Sequence, residues 1–183
     1  MFTLVIGGSA SGKSEYAEQF VLSLDGSGPR IYIATMEPFG REAQARIARH
    51  RAMRRNRGFE TLECYQNIGI ISVPQNSNVL LEDLGNLAAN ELFGGCTITE
   101  GSEKALPERI AEEIEALRAR CAHLTIVTNE VFSGGKNYEG DTLTYLRVLA
   151  KLNRFLAARA DYVVEVVCGL PDVLKRPDQE KEQ

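Results

Sequence analysis

Short apolar runs rich in β-branched residues alternate along this chain with longer segments in which apolar residues recur every third or fourth position. The runs are Phe2 to Ile6, Arg30 to Thr35, Val79 to Glu82, Leu124 to Asn129 and Tyr162 to Val167. Each is short and nearly continuous, as expected of a strand covered on both faces. Between them, Ile110, Ile114, Leu117 and Cys121 form one stripe on a helix beginning near Pro107, whose outer face carries Glu112, Glu113 and Arg120. Leu146, Leu149, Leu152 and Leu156 mark a second helix from about Asp141 to Arg159. Strands alternating with helices predict an α/β fold, a mainly parallel sheet with helices on both faces. No segment repeats at a period of about 20 to 50 residues, which excludes a solenoid. One domain over residues 1–170 is expected, with a polar, loosely ordered tail over 171–183.

Composition narrows the class without naming a chemistry. The 183 residues are 44% apolar and 25% charged with a net charge of -4, enough for one substantial core and too acidic overall for a general nucleic-acid binder. No apolar run approaches the roughly 20 residues of a membrane span, and Phe2 to Gly7 lacks the basic flank of a signal peptide, so a cytoplasmic location is expected. Cys64, Cys96, Cys121 and Cys168 form no C-x-x-C pair, which points to buried free thiols and away from zinc or a disulfide framework.

The strongest chemical signal lies directly after the first run. Gly7-Gly8-Ser9-Ala10-Ser11-Gly12-Lys13-Ser14 fits G-x-x-x-x-G-K-[ST], between a strand and the helix that it opens. Glycines let successive backbone N–H groups turn toward phosphate oxygens, and the helix N-terminus adds its positive end. Lys13 is expected to reach the β- and γ-phosphates, and the Ser14 hydroxyl to ligate Mg²⁺. An acidic partner is then required at the end of another strand. Val79-Leu80-Leu81-Glu82-Asp83 supplies two carboxylates there; Glu82 is assigned to the metal or to proton transfer, while Asp83 also suits a helix N-cap.

A second region is basic. Arg41, Arg46, Arg49, Arg51, Arg54, Arg55 and Arg57 face a single acid, Glu42, in that stretch. On a helix Arg46, His50 and Arg54 fall at i, i+4 and i+8, so two guanidiniums flank the imidazole on one face. Like charge holds such a histidine neutral, the form that attacks phosphorus; the same run also fits a solvated basic face or an RNA-contacting helix. The other histidine, His123, reads as a cap or loop residue. Thr128-Asn129-Glu130 ends a strand on the ligand side, where Asn129 can touch nucleotide.

Several blocks together resemble one family. They are Ile6-Gly7-Gly8-x-x-Ser11-Gly12-Lys13-Ser14-x-x-Ala17-Glu18, Tyr32-Ile33-Ala34-Thr35, Arg46-Ile47-x-x-His50-Arg51-x-x-Arg54 and Val127-Thr128-Asn129-Glu130-Val131, continuing through Asn153, Ala160-Asp161 and Val166 to Gly169-Leu170. They are similar to the bifunctional adenosylcobinamide kinase and adenosylcobinamide-phosphate guanylyltransferase of cobalamin assembly. The resemblance implies a P-loop NTPase-type three-layer fold and two reactions. ATP or GTP phosphorylates the aminopropanol hydroxyl of adenosylcobinamide. A histidine, His50 by position in its block, then attacks the α-phosphate of GTP and passes GMP to the substrate phosphate. The resemblance also implies Mg²⁺ in both steps and a homo-oligomer, a compact trimer.

The candidate catalytic residues are thus His50, Lys13 and Glu82, with Ser14 and Glu82 for the metal. Candidate nucleotide contacts are Gly7, Gly8, Ser9, Ala10, Ser11, Gly12, Lys13, Ser14, Thr35, Arg46, Arg51, Arg54, Glu63 and Asn129. The sequence departs from the family pattern at Pro38-Phe39-Gly40-Arg41, at Phe132-Ser133-Gly134-Gly135-Lys136-Asn137, at Arg154 and at Phe59, where corrinoid or base contacts are expected. The cradle alone also suits another P-loop small-molecule or nucleotide kinase with no covalent histidine. The arginine run alone suits a non-catalytic RNA-binding switch.

Overall fold

The computed structural model describes residues 1–24, 28–94, 102–133 and 138–177. Among these described residues seven strands form one sheet: β1 (Phe2–Gly7), β2 (Arg30–Ala34), β3 (Phe59–Glu63), β4 (Asn78–Glu82), β5 (His123–Asn129), β6 (Tyr162–Val167) and β7 (Leu170–Lys175). Their order is β3-β2-β4-β5-β1-β6-β7, and every ladder is parallel except the last, β6 with β7. The helices are α1 (Lys13–Ser23), α2 (Gly40–Arg54), α3 (Leu84–Phe93), α4 (Ser102–Arg118) and α5 (Gly140–Arg159).

Two apolar clusters explain why the central strands are apolar at nearly every position. Leu4, Ile31, Ile33, Val79, Leu81 and Ile126 point to the face covered by α3, α4 and α5, where Leu87, Ile114 and Leu152 meet them. Their neighbours Val5, Tyr32, Leu80 and Val127 point the other way, against Ala17 and Val21 of α1. The period of two along a strand sends alternate side chains to opposite faces, so both faces need apolar residues. The expected three-layer α/β architecture is what forms.

The five expected strands are present, with ends moved by a residue or less, and two more appear. The strand β3 was hidden because Phe59–Glu63 is an edge strand whose side chains are half-buried or exposed. The expectation of a loose tail from 171 is corrected: residues 170–175 pair antiparallel with β6. The turn that permits this is Cys168-Gly169, both at positive φ (52° and 80°), and Pro171 is tolerated because an edge strand leaves one side of its backbone unpaired. The helix expected to begin near Pro107 starts at Ser102. Glu103, Lys104, Ala105 and Leu106 are good helix formers and Leu106 is buried, which offsets the hydrogen bond that Pro107 cannot donate.

Cys64, Cys121 and Cys168 are free, but none is fully buried, and Cys168 is exposed on its turn, correcting the expectation of buried thiols. Cys96, the sequence departure at 134–137 and the tail at 178–183 lie outside the described residues. Among the described residues no helix is long and apolar enough to cross a membrane.

Candidate active site at the carboxyl ends of the strands

A parallel sheet delivers the ends of its strands to one edge, and here five ends converge. Residues after β1, Glu82 of β4, Asn129 of β5, Glu63 of β3 and Ala34 of β2 meet around a cavity of about 450 Å³. Its floor is the loop from Ser9 to Ser14, and its opposite wall is the α2 face bearing Arg46, Arg49, His50, Arg51 and Arg54.

Backbone geometry shapes the floor. Gly12 has φ 92°, and a Cβ there would lie 3.1 Å from Gly169 Cα, so the loop can pass the β6–β7 turn only as glycine. Gly169 N donates to Ser11 O at 2.8 Å, tying that turn to the loop. At Gly7 a Cβ would sit 2.8 Å from Val166 O, so that residue packs against β6, while a Cβ at Gly8 would meet open space; neither lines the cavity. Lys13, nearly buried, donates from Nζ to Gly8 O at 3.1 Å and so lies along the loop where phosphates would bind.

The metal question turns on Ser14 and Glu82. The Ser14 hydroxyl donates to Glu82 Oε1, while Glu82 Oε2 is buried with no hydrogen-bond partner. Burial pushes the Glu82 carboxyl up to about 7, against the lowering effects of Ser14 and Lys13. A hydroxyl and a buried carboxylate with an orphaned oxygen fit Mg²⁺, which takes one or two protein oxygens and completes its shell with phosphate and water. No cluster of three His, Cys, Asp or Glu suited to a metal occurs among the described residues.

Asp83 took the alternative role weighed for it. Its side chain caps α3 by accepting from Asn86 N at 2.6 Å, and burial raises its carboxyl above the ordinary range. The Glu82–Asp83 peptide is cis. Thr35 is fully buried and its hydroxyl is committed to the main chain of Asp83, accepting from N at 2.7 Å and donating to O at 2.8 Å. It shapes the strand ends and does not line the cavity, unlike the nucleotide contact expected of it. Asn129 does line it, braced by Asn153 of α5, whose Nδ2 donates to Asn129 O at 3.3 Å while its Oδ1 accepts from Thr128 at 2.7 Å.

On the α2 wall, His50 Nδ1 lies 3.5 Å from Glu82 Oε1 and 3.5 Å from the Tyr32 hydroxyl. Burial lowers the His50 pKa, followed by the positive charges of Arg54, Arg46, Arg49 and Lys13, so the ring is neutral near pH 7. Arg54 is buried, stacks 3.3 Å over the Tyr32 ring and has Nε and Nη1 without partners, as suits a group awaiting an anion. Arg51 is different: its Nη2 donates to Glu63 Oε1 at 2.6 Å, and that carboxylate also accepts from Tyr65 at 2.8 Å. His123 opens β5, opposite Asn78, at the other edge of the sheet.

Sequence reasoning left Tyr32 and Tyr145 without roles. Tyr32 sits at a core-facing position of β2 and reads as packing; its place on the cavity wall and its contacts with His50 and Arg54 separate it from a core tyrosine. Tyr145, whose hydroxyl burial pushes up to about 12, lines the cavity from α5 among ordinary helical positions.

Residues 3–174 match the family described as cobinamide kinase / cobinamide phosphate guanyltransferase. The bifunctional adenosylcobalamin biosynthesis protein CobU of Salmonella typhimurium is 34% identical over 181 residues, covering 93% of this chain and 97% of that protein. Its namesake from Escherichia coli K12 is 33% identical over 180 residues with the same coverage. Among solved structures, the ATPase domain of G40P superposes with a TM-score of 0.52 at 11% identity, covering 90% of this chain and 68% of that one, a likeness of fold alone.

Proposed function

The chain belongs to the cobinamide kinase / cobinamide phosphate guanyltransferase family, a kinase and guanylyltransferase of adenosylcobalamin biosynthesis, and on that premise we propose how its residues divide the two reactions. In the kinase step Lys13 and the loop N–H groups hold the β- and γ-phosphates of ATP or GTP, and the aminopropanol hydroxyl of adenosylcobinamide attacks the γ-phosphorus. In the second step His50 is the covalent nucleophile toward the α-phosphorus of GTP, and GMP passes from it to cobinamide phosphate. Ser14 and Glu82 would hold Mg²⁺, which when bound neutralises triphosphate charge. Arg46 and Arg54 steady the phosphates.

The observation that carries this reading is the shared cavity: His50 Nδ1 is 3.5 Å from the Glu82 carboxylate that accepts the Ser14 hydroxyl. A solvated basic helix has no reason to turn its one histidine toward the P-loop serine. We further propose that the protein works in the cytoplasm, where its triphosphates are made, as a homo-oligomer. The exposed Val167, Leu170 and Leu174 around edge strand β7 offer apolar surface for that assembly.

The test is a paired assay of both products. His50→Ala should eliminate the acid-labile GMP adduct and the formation of adenosylcobinamide-GDP while leaving measurable phosphorylation of adenosylcobinamide. Normal GMP transfer by that variant, or an adduct mapped to His123, would remove His50 from the mechanism.

A further inference from the structure

The geometry around His50 assigns which ring nitrogen reacts and which residue aims it: we propose that Nε2 is the atom guanylylated and that Tyr32 is the positioning residue that fixes the ring. This rests on the reading of His50 as nucleophile.

Both polar neighbours of the imidazole lie on its Nδ1 side, Glu82 Oε1 and the Tyr32 hydroxyl, each at 3.5 Å. The Tyr32 hydroxyl and the Glu82 carboxylate, which come from neighbouring strands, thus both face the same ring nitrogen. Nε2 has no hydrogen-bond partner among the described residues, on a side chain that lines the cavity. A nitrogen that faces a carboxylate and a tyrosine oxygen holds the ring proton, and its counterpart then keeps a free lone pair.

Tyr32 suits an aiming role because it cannot turn. Its residue is 3% exposed, the Arg54 guanidinium covers one face at 3.3 Å, and Phe59 meets it nearly edge-on with ring centroids 6.3 Å apart. The hydroxyl is thereby fixed relative to β2 and β4, and it fixes the imidazole, which arrives on α2 from another part of the chain.

The step balances with the reactants of the established activity. The Nε2 lone pair forms the bond to the α-phosphorus while the bond from that phosphorus to the bridging oxygen breaks, its electron pair leaving with pyrophosphate. The ring becomes cationic and keeps its proton on Nδ1, facing Glu82 and the Tyr32 oxygen. An oxygen of cobinamide phosphate then attacks the phosphorus, the N–P bond breaks and its pair returns to Nε2. No proton need leave the ring in either half.

The experiment uses the full-length protein carrying ¹⁵N-labelled histidine, incubated with GTP and Mg²⁺ and quenched in alkali. Phosphorus–nitrogen NMR correlation should find phosphorus on Nε2 of His50. Attachment through Nδ1 overturns this proposal while sparing the nucleophile; no adduct, or one on another residue, overturns both. In parallel, Tyr32→Phe keeps the ring and its Arg54 stack but loses the hydroxyl. The rate of adduct formation at saturating GTP should fall roughly ten- to a hundredfold, the scale for losing a bond that orients a reacting group, with KM for GTP altered less than about threefold. An unchanged rate, or a loss accounted for by a matching drop in melting temperature, removes Tyr32 from the positioning role.

Discussion

The two walls of the cavity are made by opposite means. The P-loop wall is backbone: glycines, a strand end and the start of α1, which is anchored by buried Ala17 and Val21 and by the β6–β7 turn. The α2 wall is side chain. Of its described helical residues only Arg54 is buried, and the contacts that hold it are polar, namely Arg54 on Tyr32, His50 with Tyr32 and Glu82, and Arg51 with Glu63. Beyond its end, Arg57 donates to the fully buried Glu18 of α1 at 2.7 Å. One wall is held by apolar burial and the other by charge. A rigid cradle therefore faces a wall whose position is set by charged and polar side chains, the kinds of group suited to a phosphate ligand.

If that contrast holds, removing charge from the cradle should cost activity without stability. Lys13→Ala deletes a point charge aimed at the phosphates and opens no core cavity, so phosphoryl transfer should fall by roughly a hundred- to a thousandfold, as when one preorganised donor is lost, with the melting temperature nearly unchanged. Steady-state kinetics beside a thermal melt decides it. Kinase turnover at the normal rate would take Lys13 out of the mechanism.

Glu82 joins the walls, and its burial makes a prediction about pH. Because the folded-state carboxyl is pushed from 4.5 up to about 7, the native state binds the proton more tightly than the unfolded chain. Its contribution is complete below the unfolded value and is lost as pH rises through 7, so metal-free protein should lose stability between pH 5 and pH 8. At about 1.36 kcal/mol per unit the whole effect is roughly 3 kcal/mol. Mg²⁺ favours the ionised form and should restore the loss, and Glu82→Gln should flatten the profile. Melts in EDTA across that range check it, and a wild-type curve already flat would contradict it. The same substitution should impair turnover far more than metal-free nucleotide affinity.

How much of this was written in the sequence follows the same division. The P-loop is a local constraint: glycines at fixed offsets between a strand and a helix, legible in eight consecutive residues. Central strands were legible because burial on both faces leaves continuous apolar runs. Edge strands were not, because Phe59–Glu63 and Leu170–Lys175 bury little and carry Glu60, Glu63, Pro171 and Asp172. The periodicity of α2 put Arg46, His50 and Arg54 on one face, but nothing local shows that Arg54 stacks on Tyr32 or that Thr35 spends its hydroxyl on Asp83. Those contacts join β2 to α2 and β4, and a tyrosine or threonine in an apolar run carries no mark of its partner.

The arginines of α2 give the finest test, because Arg51 and Arg54 are both nucleotide contacts by sequence and the structure separates them. Arg54 is 7% exposed with two nitrogens unpartnered, so an incoming phosphate would meet a desolvated guanidinium. Losing such a charge-assisted bond costs about 1.5 to 3 kcal/mol, and Arg54→Ala should weaken GTP use by roughly ten- to a hundredfold while also freeing the Tyr32 ring. Arg51 already has a carboxylate partner at 2.6 Å, and the side chains of that pair are 59% and 48% exposed. An exposed pair contributes at most about 1 kcal/mol, screened by salt, so Arg51→Ala should change KM for GTP by no more than about fivefold and leave the melting temperature within error. Measuring both variants at two salt concentrations separates the cases, since only the Arg51 effect should shrink markedly with added salt. A loss at Arg51 as large as at Arg54 would mean that Glu63 surrenders its partner when nucleotide enters, and that the α2 wall engages phosphate through its rim as well as through its buried end.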